Sequence, residues 1–317
     1  MNSIELTAPA KVNLFLKVLN KRRDSYHNIL TVFERISLAD HIKISKSQCG
    51  IAITTDKFVT REPKDNIAYK AADLILNYAN SKRGVQIRIK KRIPMAAGLG
   101  GGSSDGAAVL VGMNRLFDIG LNKKELMRLA KRLGSDVPFF VLDTPFAIGK
   151  GRGEKLVSIK SKAIFWHLII YPGFKLSTKD IYKALDEVRA QSKDLTLRRS
   201  SGSSGEHLPN HLTSSLYDDK IHRLLEDSAR LDTLRAMMHN DLEYIAISKR
   251  PVIGKIVERL ADILDTNVKL SGSGPSVFCL YKTRKEAARA KRKLMSSIPA
   301  TERKGWELFI ARTGCKN

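Results

Sequence analysis

Cysteine is nearly missing from this chain. Cys49, Cys279 and Cys315 are its only three in 317 residues and lie far apart, which excludes a disulfide framework and any Cys-x-x-Cys zinc pattern. A reducing compartment, the cytoplasm, is therefore expected. Long apolar runs are missing too. The strongest, Ala163 to Tyr171, contains His167 and is about half the length of a membrane span. Met1 to Pro9 lacks the apolar core of a signal peptide, so no membrane role is expected. Acidic residues are outnumbered 32 to 56, leaving a net charge of +24, a surplus that suits partners carrying phosphate. Aromatics are only 7% of the chain and are not interleaved with the scattered lysines and arginines. That pattern favours general anion affinity over a dedicated nucleic-acid groove. With 43% hydrophobic residues the chain can bury the cores of two domains.

Glycine, by contrast, is concentrated. The segment Pro94-Met95-Ala96-Ala97-Gly98-Leu99-Gly100-Gly101-Gly102-Ser103-Ser104-Asp105-Gly106-Ala107 follows a stretch where Val85, Ile87 and Ile89 alternate with Gln86, Arg88 and Lys90. That alternation predicts a half-buried strand. After the segment a helix is expected over Ala107 to Phe117, with the two serines capping its start. A strand, a glycine loop and a helix N-terminus in succession allow backbone N–H groups and the helix dipole to point at an anion. Pro94 to Ser104 is thus a candidate cradle for phosphate groups. No Gly-Lys-Ser/Thr follows the glycines, and a serine stands where the dinucleotide fingerprint needs its third glycine.

Helix-like segments at Asn66 to Ala79 and Lys123 to Leu133, the latter ended by Gly134, mix with strands in the first half of the chain. A buried strand from Phe165 to Tyr171 opens a second unit. It continues with helices at Thr178 to Arg189, Ile221 to Met238 and Pro251 to Leu264, and with a strand pair between Val268 and Tyr281. The expected fold class is α+β in two lobes, residues 1–158 and 159–317. The polar stretch 191–215, with Ser200-Ser201-Gly202-Ser203-Ser204-Gly205 inside it, is expected to be a flexible loop.

Asp136, in Gly134-Ser135-Asp136-Val137-Pro138, reads either as a turn or cap residue or as a carboxylate placed to accept a hydroxyl proton. Lys11 lies between Ala10 and Val12 at the start of an apolar strand-like run, an unusual setting for an ordinary surface lysine. Tyr26-His27 follows the turn-like Asp24-Ser25. Ser271 to Pro275 reads as a glycine turn between two strands.

The glycine segment also resembles the phosphate-binding motif of the GHMP kinase superfamily. Pro9-Ala10-Lys11-Val12-Asn13-Leu14-Phe15-Leu16 resembles its first motif, and Leu270-Ser271-Gly272-Ser273-Gly274-Pro275-Ser276-Val277-Phe278 its third. Within the superfamily, Lys11-Val12-Asn13, Tyr26-His27, Gly134-Ser135-Asp136-Val137-Pro138-Phe139-Phe140 and His239-Asn240-Asp241-Leu242-Glu243 are similar to the 4-diphosphocytidyl-2-C-methyl-D-erythritol kinase family. The resemblance implies an N-terminal lobe like ribosomal protein S5 domain 2 and a ferredoxin-like C-terminal lobe. It also implies ATP-dependent phosphorylation of that substrate's 2-hydroxyl, a step toward isoprenoid precursors, with Mg²⁺ accompanying the nucleotide.

Under that resemblance Lys11 and Asp136 form the catalytic unit and Asn13 helps bind the methylerythritol hydroxyls. His27 reads the cytosine edge, and Tyr26 stacks on the base with Tyr182 as the second aromatic. Ser104 is a candidate Mg²⁺ ligand. Two departures stand out: Ala96 where the family often has Gly, and Gly106 where it often has Ala. The rival readings are a homoserine- or mevalonate-type kinase, whose substrates offer no base to stack, and a basic RNA-binding protein.

Overall fold

The computed structural model describes residues 1–199, 221, 223, 225 and 230–314. Two long strands, β1 (Ser3–Lys21) and β2 (His27–Ser47), pair antiparallel from Ser3↔Ser45 to Lys21↔His27. The far edge of β2 is shared: β4 (Gly84–Lys90) pairs with its last third and β5 (Phe146–Gly151) with its first. Outside these, β3 (Ile51–Thr55) runs parallel to β4, and β6 (Lys155–Ile159) antiparallel to β5. A two-residue strand from much later in the chain, β8 (His239–Asn240), adds parallel to β1 at Phe15 and Leu16 and completes seven strands.

Four helices cover one face of this sheet: α1 (Ile67–Tyr78), α2 (Gly101–Leu116), α3 (Lys123–Leu133) and α4 (Val137–Leu142). Ile75, Val109, Met113 and Phe139 pack there with Ile42, Ile44 and Ile87. Each helix starts where its local sequence dictates. Asn66 caps α1 through the Ala68 N–H, and Asn122 and Glu125 close a reciprocal capping box on α3. The glycine-loop helix begins six residues earlier than the expected start at Ala107. Ser103 and Ser104 lie inside its first turn, and Gly100, in a left-handed conformation with φ 71°, stands at the cap. The serines therefore do not cap.

The second sheet has the order β11-β7-β10-β9, antiparallel throughout, from β7 (Trp166–Tyr171), β9 (Lys269–Leu270), β10 (Val277–Tyr281) and β11 (Glu307–Arg312). Helices α8 (Pro251–Leu264) and α9 (Arg284–Ser297) pack against it in the split β-α-β pattern of ferredoxin-like folds. Helix α5 (Thr178–Arg199) is longer than the sequence suggests and takes in residues 191–199 of the expected loop. Residues 200–215 lie outside the described set.

Val12, Leu14, Ile36, Phe146, Phe165 and Phe278 form one core joining the lobes. Buried within that junction, Glu34 meets His167 Nε2 at 3.0 Å and accepts a hydrogen bond from Thr313 at 2.6 Å. Among the described residues no helix is long and apolar enough to cross a membrane.

Candidate active site

Two irregularities in β1, between Pro9 and Ala10 and between Asn13 and Phe15, bracket Lys11 and Asn13. Such bulges re-aim side chains. Here Ala10, Val12 and Leu14 go into the core between the lobes, while Lys11 and Asn13 share the other side. Lys11 Nζ donates to Asn13 Oδ1 at 2.6 Å and to the carbonyl of Gly98 at 2.9 Å. Asn13 in turn donates to Thr31, which donates to the Phe15 carbonyl. Asp136 Oδ2 stands 3.9 Å from Lys11 Nζ. Burial lowers the Lys11 pKa, and the Asp136 charge opposes that shift. Asp136 sits at the N-cap of α4, yet its side chain makes no capping hydrogen bond. Its carboxylate faces the lysine instead of the helix.

The glycine loop is locked from both sides. A Cβ on Gly98 (φ 77°) would lie 2.0 Å from the Ser271 carbonyl oxygen, and one on Gly100 would press on Lys11 and Phe140 at 3.0 and 3.1 Å. A Cβ on Gly101 would meet Ile93 at 3.0 Å on the core side, whereas the Cβ position on Gly102 has only Ile67 nearby, at 3.5 Å. The Ser271-to-Pro275 turn closes on this loop: Ser271 Oγ donates to the Gly98 carbonyl at 2.9 Å, and the Ser276 N–H to the Ala97 carbonyl at 3.2 Å. Asn240 holds that turn by donating to the Leu270 and Gly272 carbonyls, and accepts from the Leu242 N–H to cap α7 (Asp241–Lys249).

Beneath the loop lies a buried charge cluster that the sequence reading passed over. Lys91 Nζ contacts Asp40 at 2.5 Å and Asp105 at 2.7 Å, and Asp40 also accepts the N–H groups of Arg92 and Ile93. The cluster ties the chain leaving β4 to the second turn of α2. Burial pushes the Asp105 carboxyl up to about 7 even though Lys91 pulls it down. Lys91 and Asp105 flank the glycine segment in sequence, but nothing in the sequence joins them to Asp40, some 50 residues earlier than Lys91.

Toward the other end, His27 is 6% exposed and its Nε2 lies 2.7 Å from Asp186 Oδ1. Tyr182 stacks on the His27 ring at 5.1 Å and 26°. The exposed Tyr26 carries the Arg152 guanidinium 4.9 Å from its ring centre. Tyr182 thus meets His27, and Arg152 covers Tyr26. Asp186 and Arg152 had no sequence signal, because their partners are 159 and 126 residues away. Lys11, Asn13, Tyr26, His27, Pro94 to Ser103, Asp136 and Tyr182 all line one cleft of about 1040 Å³. Ser104 is set back from it, buried, with its Oγ unpartnered.

A lysine–aspartate pair, a glycine loop and the aromatic side chains Tyr26 and Tyr182 thus share one cleft. The model for the GHMP kinases N terminal domain matches residues 66–144, and that for GHMP kinases C terminal matches residues 222–299. The 4-diphosphocytidyl-2-C-methyl-D-erythritol kinase of Geobacter metallireducens is 37% identical over 298 residues, covering 94% of this chain and 96% of its own. The chain belongs to the 4-diphosphocytidyl-2-C-methyl-D-erythritol kinase family. A member from Acetivibrio thermocellus is 36% identical, over 99% of this chain and 100% of its own. The crystal structure of a 4-(cytidine 5'-diphospho)-2C-methyl-D-erythritol kinase superposes with a TM-score of 0.74 at 30% identity, covering 99% and 100%. The homoserine kinase of Cytophaga hutchinsonii shares the fold at 17% identity and TM-score 0.67, covering 99% and 96%.

Proposed function

We infer that this chain is an ATP-dependent kinase of 4-diphosphocytidyl-2-C-methyl-D-erythritol, transferring the γ-phosphoryl group to the 2-hydroxyl in the route to isoprenoid precursors. Family membership supports the activity. The observation that carries the mechanism is the position of Lys11 Nζ, between the Gly98 carbonyl of the phosphate loop and the Asp136 carboxylate.

The phosphates of ATP lie along Pro94 to Ser104, where the open Cβ position at Gly102 and the first N–H groups of α2 face an anion. The attacking hydroxyl sits between Lys11 and Asp136. Asp136 accepts its proton as the oxygen bonds to the γ-phosphorus and the bond to the bridging oxygen breaks, releasing ADP, and the Lys11 ammonium offsets the alkoxide charge that develops. Asn13, anchored through Thr31, orients Lys11 and binds the methylerythritol hydroxyls. His27 reads the cytosine edge and Tyr26 and Tyr182 supply aromatic faces, with Arg152 yielding the Tyr26 ring to the base.

Mg²⁺ offsets the charge of the transferring phosphates when bound. Ser104 Oγ, unpartnered among the described residues, is buried and set back from the cleft, and no group of three or more His, Cys, Asp or Glu suited to a metal exists among them. The residues therefore fit an ion held mainly by phosphates and water. Two lobes divided near residue 158 and a cytoplasmic location complete the proposal.

The deciding experiment is an ADP-release assay comparing the diphosphocytidyl substrate with homoserine and mevalonate. Preference for either of the latter would overturn the substrate assignment.

A further inference from the structure

We infer that Asp186 is a positioning residue for base selection: it fixes the proton of His27 on Nε2, so that Nδ1 presents a lone pair to the base. This inference rests on the proposed reading of cytosine by His27.

The geometry assembles from both lobes. His27 opens β2, Lys21 ends β1, and Asp186 lies on α5. Asp186 divides its two oxygens, Oδ1 to His27 Nε2 and Oδ2 to Lys21 Nζ, each at 2.7 Å. Burial raises the Asp186 pKa, but the hydrogen bonds and charges of Lys21 and His27 outweigh it and hold the carboxyl below its ordinary value. At neutral pH it is therefore a carboxylate, which can only accept. The hydrogen on the shared 2.7 Å contact must then belong to His27 Nε2.

Two further constraints keep the ring in that state. Lys21 balances the Asp186 charge, and Lys179 and Lys183 of α5 line the same cleft. Tyr182 stacks on the ring and fixes its plane. Helix α5 is itself clamped: Arg189 donates to the Val18 and Leu19 carbonyls at 2.6 Å each. That clamp holds the Asp186 backbone in reach of His27.

A neutral imidazole held this way donates at Nε2 and accepts at Nδ1, and among the described residues Nδ1 has no hydrogen-bond partner. An acceptor at that edge pairs with the exocyclic amino group of a cytosine and repels the carbonyl that uracil carries at the same place. Selectivity for an aminated pyrimidine thus originates one residue behind the group that touches the base.

The primary test is the tautomer of His27, read by long-range ¹H–¹⁵N correlation in the intact enzyme and assigned by loss of the signal in His27→Gln. The neutral Nε2–H form near pH 7 is expected. An Nδ1–H form or an imidazolium would overturn the inference without any variant of Asp186. The second test is kcat/KM for the cytidine substrate and its uridine analogue in wild type, Asp186→Ala and Asp186→Asn. Both variants are expected to lose at least about fivefold of the cytidine preference with the KM for ATP unchanged. Full preference retained in both would overturn the role of Asp186. If wild type shows no preference, or His27→Ala keeps it, the base reading itself fails and this inference falls with it.

Discussion

Lys11 Nζ stands 3.9 Å from Asp136 Oδ2 while donating hydrogen bonds to Asn13 and to the Gly98 carbonyl. The pair is too long for a direct hydrogen bond and leaves room for a hydroxyl to bridge the two charges. Replacing either group should therefore disable the same step. Asp136→Asn and Lys11→Met are each expected to reduce turnover at least about a hundredfold, with ATP binding retained in Asp136→Asn. The double variant should lose far less than the product of the two. Strictly multiplicative losses, measured by single-turnover kinetics, would show that they act separately.

The pH dependence of turnover reports on the same lysine. Burial lowers its pKa from 10.5 and Asp136 raises it, so if the proposed role holds, the ammonium is lost on an alkaline limb below 10.5. In Asp136→Asn the raising charge is gone, and the limb in residual activity should move to lower pH. For stability, a folded-state pKa below the unfolded value means the unfolded chain binds more protons between the two. Stability from this group is present above 10.5 and declines as pH falls through the folded pKa. Lys11→Met should flatten that slope in unfolding experiments from neutral to alkaline pH.

Gly98 sets the distance between the two loops. A methyl group there would meet the Ser271 carbonyl oxygen at 2.0 Å, and neither backbone has a flexible end to withdraw. Gly98→Ala is expected to raise the KM for ATP at least about tenfold and to destabilise the fold by about 1–3 kcal/mol. Unchanged values for both would mean that the Ser271 turn is not needed to shape the cradle.

The two departures from the family pattern have opposite structural costs. Ala96 has φ 51°, a left-handed conformation that a side chain disfavours, so Ala96→Gly should stabilise the protein by about 1 kcal/mol. Gly106 faces Ile67, whose Cγ2 would lie 2.6 Å from an added Cβ. Gly106→Ala should destabilise by about 1–3 kcal/mol. Chemical denaturation of the two variants checks both signs.

Much of this was legible in the chain because it is local. Alternation at Val85, Ile87 and Ile89 gave β4, the helix-like segments Asn66 to Ala79 and Lys123 to Leu133, the latter ended by Gly134, gave α1 and α3, and the motif strings singled out Lys11, Asp136 and His27, which share one cleft. The start of α2 was misjudged because Gly100 caps by conformation and no side-chain signal marks it. Helix α5 ran on past Arg189 through a polar stretch that composition assigned to a loop. The Lys91–Asp40–Asp105 cluster and the Asp186–His27 contact were out of reach, since each joins residues distant in sequence that only the folded sheet brings together.

Strand β8 adds His239 and Asn240 to the first sheet, beside Phe15 and Leu16, and Asn240 then grips the turn that closes on Gly98. On the ribosome, the first 160 residues emerge with this edge of β1 unpaired and the cradle missing its far wall. The proposed nucleotide site is thus completed by a segment synthesised some 80 residues after the sheet it joins, and a gene split between the lobes is expected to yield two halves that gain ATP affinity only on reassembly.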